Sequence, residues 1–85
     1  MIIGTLKLHI YLPEAHSLKD KRQVLQSYKE KLRRKFQVSV CELGKQDSWA
    51  EAIIGVAYIN SSRVQVERVL DNVINFGDMV KKLEV

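Results

Sequence analysis

Cysteine, proline and long apolar runs are scarce in this 85-residue chain, and each scarcity rules something out. Cys41 is the only cysteine, so no disulfide forms within the chain and a reducing compartment is expected. No apolar run approaches the roughly 20 residues that a membrane-spanning helix needs. The opening stretch, MIIGTLKLHIYLP, has neither the basic region nor the small-residue cleavage site of a secretory signal. A cytoplasmic protein without a membrane segment is the expectation. Proline occurs once, and no repeat, low-complexity tract or linker divides the chain. A single domain over residues 1–85 is expected, because this length leaves no room for a second core. Acids are the minority charge, with 10 Asp and Glu against 14 Lys and Arg. The resulting +4 mildly favours acidic partners.

What is present reads as five or six elements. Ile2, Leu6, Leu8, Ile10 and Leu12 alternate with Thr5, Lys7, His9 and Tyr11, the period of a strand with one face on a core. Pro13, which has no backbone donor, closes it. Ser17 followed three residues later by Asp20 resembles a capping box. Leu18, Leu25, Tyr28, Leu32 and Phe36 then recur at helical spacing, with no Gly or Pro between 18 and 36 to interrupt. QVSVCELG (37–44) and AEAIIGVAYIN (50–60), joined by a polar loop, read as an antiparallel hairpin. Ser62 with Gln65 opens a second helix whose stripe is Val66, Val69, Leu70, Val73 and Ile74. Gly77 is a candidate C-cap, and MVKKLEV (79–85) is a candidate fourth strand. The order β-α-β-β-α-β predicts an α+β, ferredoxin-like plait: a four-stranded antiparallel sheet with two helices on one face and the other face open.

The first helix is where the basic residues collect. HSLKDKRQVLQSYKEKLRRKF (16–36) holds eight of the fourteen. On a helical wheel with Leu18 at zero, Arg22, Lys29 and Arg33 fall at roughly 40°, 20° and 60°, with Lys19 and Arg34 near 100° and 160°. Such a row can follow a phosphate backbone, and only Asp20 and Glu30 dilute it. The bland alternative is a solvated outer face of an amphipathic helix. The helix start, with Ser17, Lys19, Lys21 and Arg22, can also be pictured as a phosphate cradle. Capping by Ser17 and Asp20 accounts for those donors better.

The open sheet face is the second candidate. Lys7, His9 and Tyr11 lie on it from the first strand. In the third strand Ala52, Ile54, Val56 and Tyr58 are apolar on one side, and Ile53, Ala57 and Ile59 on the other. Two helices cover only one side, so a second copy of the chain, meeting this one at Ile53 and Ile59, is the expected cover. Too few aromatics stand on that face for an RNA-recognition motif in the strict sense. Trp49 reads as packing over the hairpin end rather than as a stacking residue, and Gln46 and Asp47 as turn formers. His9, His16 and Cys41 match no metal-ligand spacing, so no metal or other cofactor is expected.

The stretches LHIYLPEAHSLKDKRQVLQSYKEKLRRKF, VSVCELGKQDSWAEAIIGVAYI and VERVLDNVI together resemble the YlxP-like family of small bacterial proteins of unknown function. Ser17-Leu18-Lys19-Asp20-Lys21-Arg22 and Gln46-Asp47 with Trp49 are the most specific pieces. The resemblance implies a ferredoxin-like fold and a gene that in many bacteria lies among genes for translation initiation and ribosome maturation. It implies no catalytic residues. An enzyme is not expected on the residues either: the loop after strand one, PEAHS, lacks the glycines and arginine with which acylphosphatases of this fold cradle phosphate. The expected role is an RNA- or ribosome-associated binding module working through Lys19, Arg22, Lys29, Arg33 and Arg34. The alternative is a homodimeric interaction domain using the open sheet face.

Overall fold

The computed structural model of the protein describes residues 1–12, 16–45, 48 and 50–79. Its elements are β1 (Ile2–Tyr11), α1 (Leu18–Phe36), β2 (Ser39–Gly44), β3 (Glu51–Asn60) and α2 (Arg63–Met79). Among the described residues the sheet has three strands in the order β1-β3-β2, antiparallel throughout. The α+β class and the helix-covered antiparallel sheet are therefore as expected. Of the stretch anticipated as a fourth strand, Met79 belongs to α2 instead, and residues 80–85 lie outside the described residues. The helix runs through Gly77 instead of ending there, since a single interior glycine costs a helix only about 1 kcal/mol.

The alternation in β1 puts Leu8, Ile10 and Leu12 into the core at 3% exposure or less, and leaves Ile3, Thr5, Lys7 and Tyr11 exposed. In β3, Ala52, Ile54 and Val56 are buried on the same side. α1 contributes Leu25, Tyr28 and Leu32 and α2 contributes Val66, Val69 and Val73, the stripes that 3.6-residue spacing predicts. Phe36 meets Phe76 edge to face at 5.7 Å, and Tyr28 stacks on the same Phe76 at 6.1 Å, joining the two helices. Gly4 faces α2. A Cβ there would come within 2.4 Å of Val66 and 2.7 Å of Leu70, so the absent side chain is what lets that helix lie against β1.

The helix starts are capped as the sequence predicts, with one difference. Ser17 Oγ accepts from the Asp20 N–H at 3.1 Å, and Ser62 Oγ accepts from the Gln65 N–H at 3.3 Å. Asp20 Oδ2, however, accepts from the His16 N–H at 3.2 Å rather than from the cap residue itself. Gln37, expected as the first strand residue, instead ends α1 in the left-handed conformation (φ 56°, ψ 42°), its N–H donating to the Arg33 carbonyl at 3.0 Å. β2 starts two residues later.

Candidate functional site

Of the eight basic residues of the α1 segment, the fold buries one and ties two more down. Lys21 is 2% exposed. Its ammonium donates to the backbone carbonyls of Lys45 and Ser48 in the β2–β3 loop. Lys45 is itself left-handed (φ 63°), and its carbonyl also accepts from the Ser48 N–H at 3.1 Å. A buried ammonium is tolerated only when its protons are taken up, and the turned-in carbonyls take them up here. Lys21 is thus excluded from any phosphate cradle at the start of α1. Ser17 and Asp20 are engaged as caps, so the cradle pictured from sequence is not assembled.

Lys29 and Arg33 lean toward β2. Lys29 Nζ lies 3.3 Å from Glu42 Oε1, with only 14% of its side chain exposed. Arg33 Nη2 donates to the Val40 carbonyl at 3.1 Å. Together they cover the outer edge of β2, which among the described residues pairs with β3 alone, a recognised way of protecting an edge strand. The row Arg22–Lys29–Arg33 therefore exists as geometry, but its middle member is held in an ion pair.

The exposed cations of α1 are Lys19, Arg22, Lys31, Arg33, Arg34 and Lys35, against a single exposed acid, Glu30. Lys35 stands 5.2 Å over the Phe76 ring, on the α2 side. Lys19 and Arg22 sit on the first turns and Arg33 and Arg34 on the last. Arg22 and Arg34 are about 18 Å apart at 1.5 Å per residue. From Arg22 toward the second cluster runs a polar groove of about 660 Å³ lined by Arg22, Gln23, Gln26, Ser27, Glu30 and Glu42, ending at Glu30, one turn short of Arg33 and Arg34. The amides of Gln23 and Gln26 and the Ser27 hydroxyl give this groove hydrogen-bonding groups beside Arg22, while Glu30, unlike Glu42 with its partner Lys29, adds an acid to it. The groove was not foreseen, because Glu42 enters it only through the register of β2.

On the opposite side of the sheet stand Lys7, His9, Tyr11, Ile53 and Ile59, as expected. His9 pairs with Ile53, Tyr11 with Glu51, and Ile3 with Ile59. His9 and Tyr11 stack at 4.5 Å, and Glu51 lies 3.6 Å from both His9 Nε2 and Lys45 Nζ. The middle of this face is a shallow trough of about 410 Å³ over Gly55 and Ala57, walled by Thr5 and Lys7 on one side and Ser39, Cys41 and Leu43 on the other. Gln46, Asp47 and Trp49 lie outside the described residues. Among the described residues no three His, Cys, Asp or Glu side chains are grouped as metal ligands, and no helix is long and apolar enough to cross a membrane.

The comparisons with known proteins agree with the resemblance read from the sequence. Residues 3–85 match the family described as "Protein of unknown function (DUF503)". The chain belongs to that family. It is also 39% identical, over 83 residues, to the uncharacterized protein YlxP of Bacillus subtilis (strain 168). That alignment takes in 98% of this chain and 90% of the relative. Membership of DUF503 brings no activity and no assigned site residues with it, so a functional reading rests on the geometry above.

Proposed function

We propose that this DUF503 protein is a small cytoplasmic RNA-binding module, acting on a ribosomal subunit or its RNA, and that the outer face of α1 is its contact surface. The observation that carries the reading is the six exposed cations of α1 set against one exposed acid. Lys19 and Arg22 hold phosphates at the first turns of α1 and Arg33 and Arg34 at the last, while Lys29 supports the site through Glu42. Recognition is by charge and shape rather than by base sequence, and no catalysis is involved. The ferredoxin-like plait belongs to the same reading. The β1-β3-β2 order is contained in such a plait, and it leaves the outer edge of β1 for a fourth strand.

Co-sedimentation with small and large ribosomal subunits at about 50 and about 300 mM salt tests this. Retention on one subunit at both salts is the expected result. Absence from both subunits at low salt refutes it.

A second reading is favoured by the exposed Ile3, Tyr11, Leu43 and Ile59 on the open sheet face: the protein associates with itself there. Sedimentation velocity across a range of concentrations decides that question independently of RNA.

A further inference from the structure

Two rows of side chains cross the open face of the sheet at its centre. Strand pairing sets Thr5 and Ser39 on either side of Ala57, and Lys7 and Cys41 on either side of Gly55. The flanking strands stand about 10 Å apart, twice the spacing of neighbouring strands. β3 offers only a methyl group and a hydrogen atom between them, so the face is dented here into the trough of about 410 Å³.

Leu43 closes one end of the trough. The pairing of β2 slips between Glu42 and Gly44, a bulge of the kind that re-aims a side chain. Leu43 lies across Gly55, where a Cβ would meet its Cδ1 at 2.9 Å. The floor left open is Ala57, with the Leu43 methyls as a wall beside it. Sites for small molecules begin at about this volume, and they are mostly apolar with a few polar groups that fix orientation. The polar groups here are the Thr5 and Ser39 hydroxyls and the Lys7 ammonium. All three residues are exposed, and among the described residues none of these side chains is spent on a partner within the chain.

The charge of the trough has one sign. Lys7 is the only charged residue that lines it, and among the described residues it forms no ion pair. Glu51, further along the same face, is engaged by His9 and Lys45, each at 3.6 Å. An acidic ligand therefore meets a cation with no carboxylate against it, whereas a basic ligand meets only repulsion. We propose that the trough binds a compact amphipathic anion. Its ring or short chain lies over Ala57 against Leu43, and its acidic group (carboxylate, sulfonate or phosphate) pairs with Lys7 and accepts from the Thr5 hydroxyl. α1 lies on the other side of the sheet, so this site stands or falls independently of the RNA reading.

The test uses two fluorescent probes that brighten on leaving water: anilinonaphthalene sulfonate, and phenylnaphthylamine, which is the same apolar frame without the acid. Each is titrated into the wild type, Lys7→Gln and Ala57→Ile, with circular dichroism to check folding. Ala57→Ile fills the floor with a side chain suited to a strand. Should it fail to fold, Ser39→Leu, at an exposed position of the wall, takes its place. The expected result is saturable binding of the sulfonate at one probe per chain, weakened about fivefold by Lys7→Gln, while the neutral probe stays within about twofold. Ala57→Ile should lose both probes. Saturating sulfonate should also slow alkylation of Cys41 by iodoacetamide in the wild type. Absence of saturable sulfonate binding overturns the site. Equal binding by the wild type and the folded filled variant places the probe elsewhere and overturns it as well. Loss of both probes alike in Lys7→Gln, or of neither, refutes the preference for an anion.

Discussion

The Lys21 ammonium, near the start of α1, donates to the carbonyl of Lys45, 24 residues further along the chain. With the second bond to Ser48, this contact holds the β2–β3 loop against the helix and consumes a charge that the sequence offers as a ligand for phosphate. Replacing Lys21 with Met keeps the buried stem and removes the donors. The expected loss is about 2 kcal/mol, the scale of a buried hydrogen bond to a charged group. For a domain of this size that is a fall of about 10 °C in Tm, read by thermal unfolding. A variant melting within a degree or two of the wild type would show that the contact contributes little.

Gly4 gives a prediction of the opposite kind, where a side chain is added. Gly4→Val must push Val66 and Leu70 away, since a Cβ there already meets them at 2.4 and 2.7 Å. Overpacking of this sort costs about 1–3 kcal/mol. Chemical denaturation should show the loss, and Gly4→Ala should lose less. Equal stability of Gly4→Val and wild type would mean that α2 is not seated on β1 as described.

Much of this fold is legible in the sequence because its signals are local. Alternation in IIGTLKLHIY and the 3.6-residue stripes from Leu25 to Leu32 and from Val66 to Val73 place three elements and their buried faces. Ser17 and Ser62 mark the helix starts. The site is less legible because its charges are sorted by tertiary contacts. Periodicity does separate Lys21, which stands four and seven residues before Leu25 and Tyr28 in the buried stripe, from Lys19 on the outer face, but a lysine in that stripe reads as a charge to be turned outward. Only the return of the β2–β3 loop supplies the Lys45 and Ser48 carbonyls that let the Lys21 ammonium stay buried. Lys29 and Arg33 likewise depend on β2 lying beside α1, and Glu42 reaches the polar groove through the same pairing. Gln37 falls outside β2 for a different reason: a polar residue before an apolar run reads as the start of a strand, whereas its left-handed backbone is set by the end of the helix.

That backbone makes Gln37 a site for stabilisation. Only glycine adopts φ near +56° without steric cost, and a non-glycine residue held there costs about 1 kcal/mol or more. Gln37→Gly should raise stability by about 0.5–1 kcal/mol, after the greater freedom of glycine in the unfolded chain is allowed for. The N–H donated to Arg33 is retained, so the cap survives. A rise of a few degrees in Tm is the expected reading, and a fall would show that the Gln37 side chain makes a contact worth more than the strain.

The cations of α1 divide into two sets that a salt titration separates. If Lys19, Arg22, Arg33 and Arg34 engage about four phosphates of single-stranded RNA, the log–log slope of affinity against salt is near −3. Arg22→Gln with Arg34→Gln, one cation removed from each end of the helix, should halve that slope to about −1.5 and weaken binding at least about tenfold at low salt. Lys29→Met behaves differently, because its ammonium is already paired with Glu42 at 3.3 Å. It should leave the slope within about half a unit and cost about 1 kcal/mol of stability or less, as for a partly exposed ion pair. Should Lys29→Met lower the slope as much as a removal at Arg22, Lys29 gives up Glu42 on binding and the RNA lies against β2 rather than along the outer face of the helix.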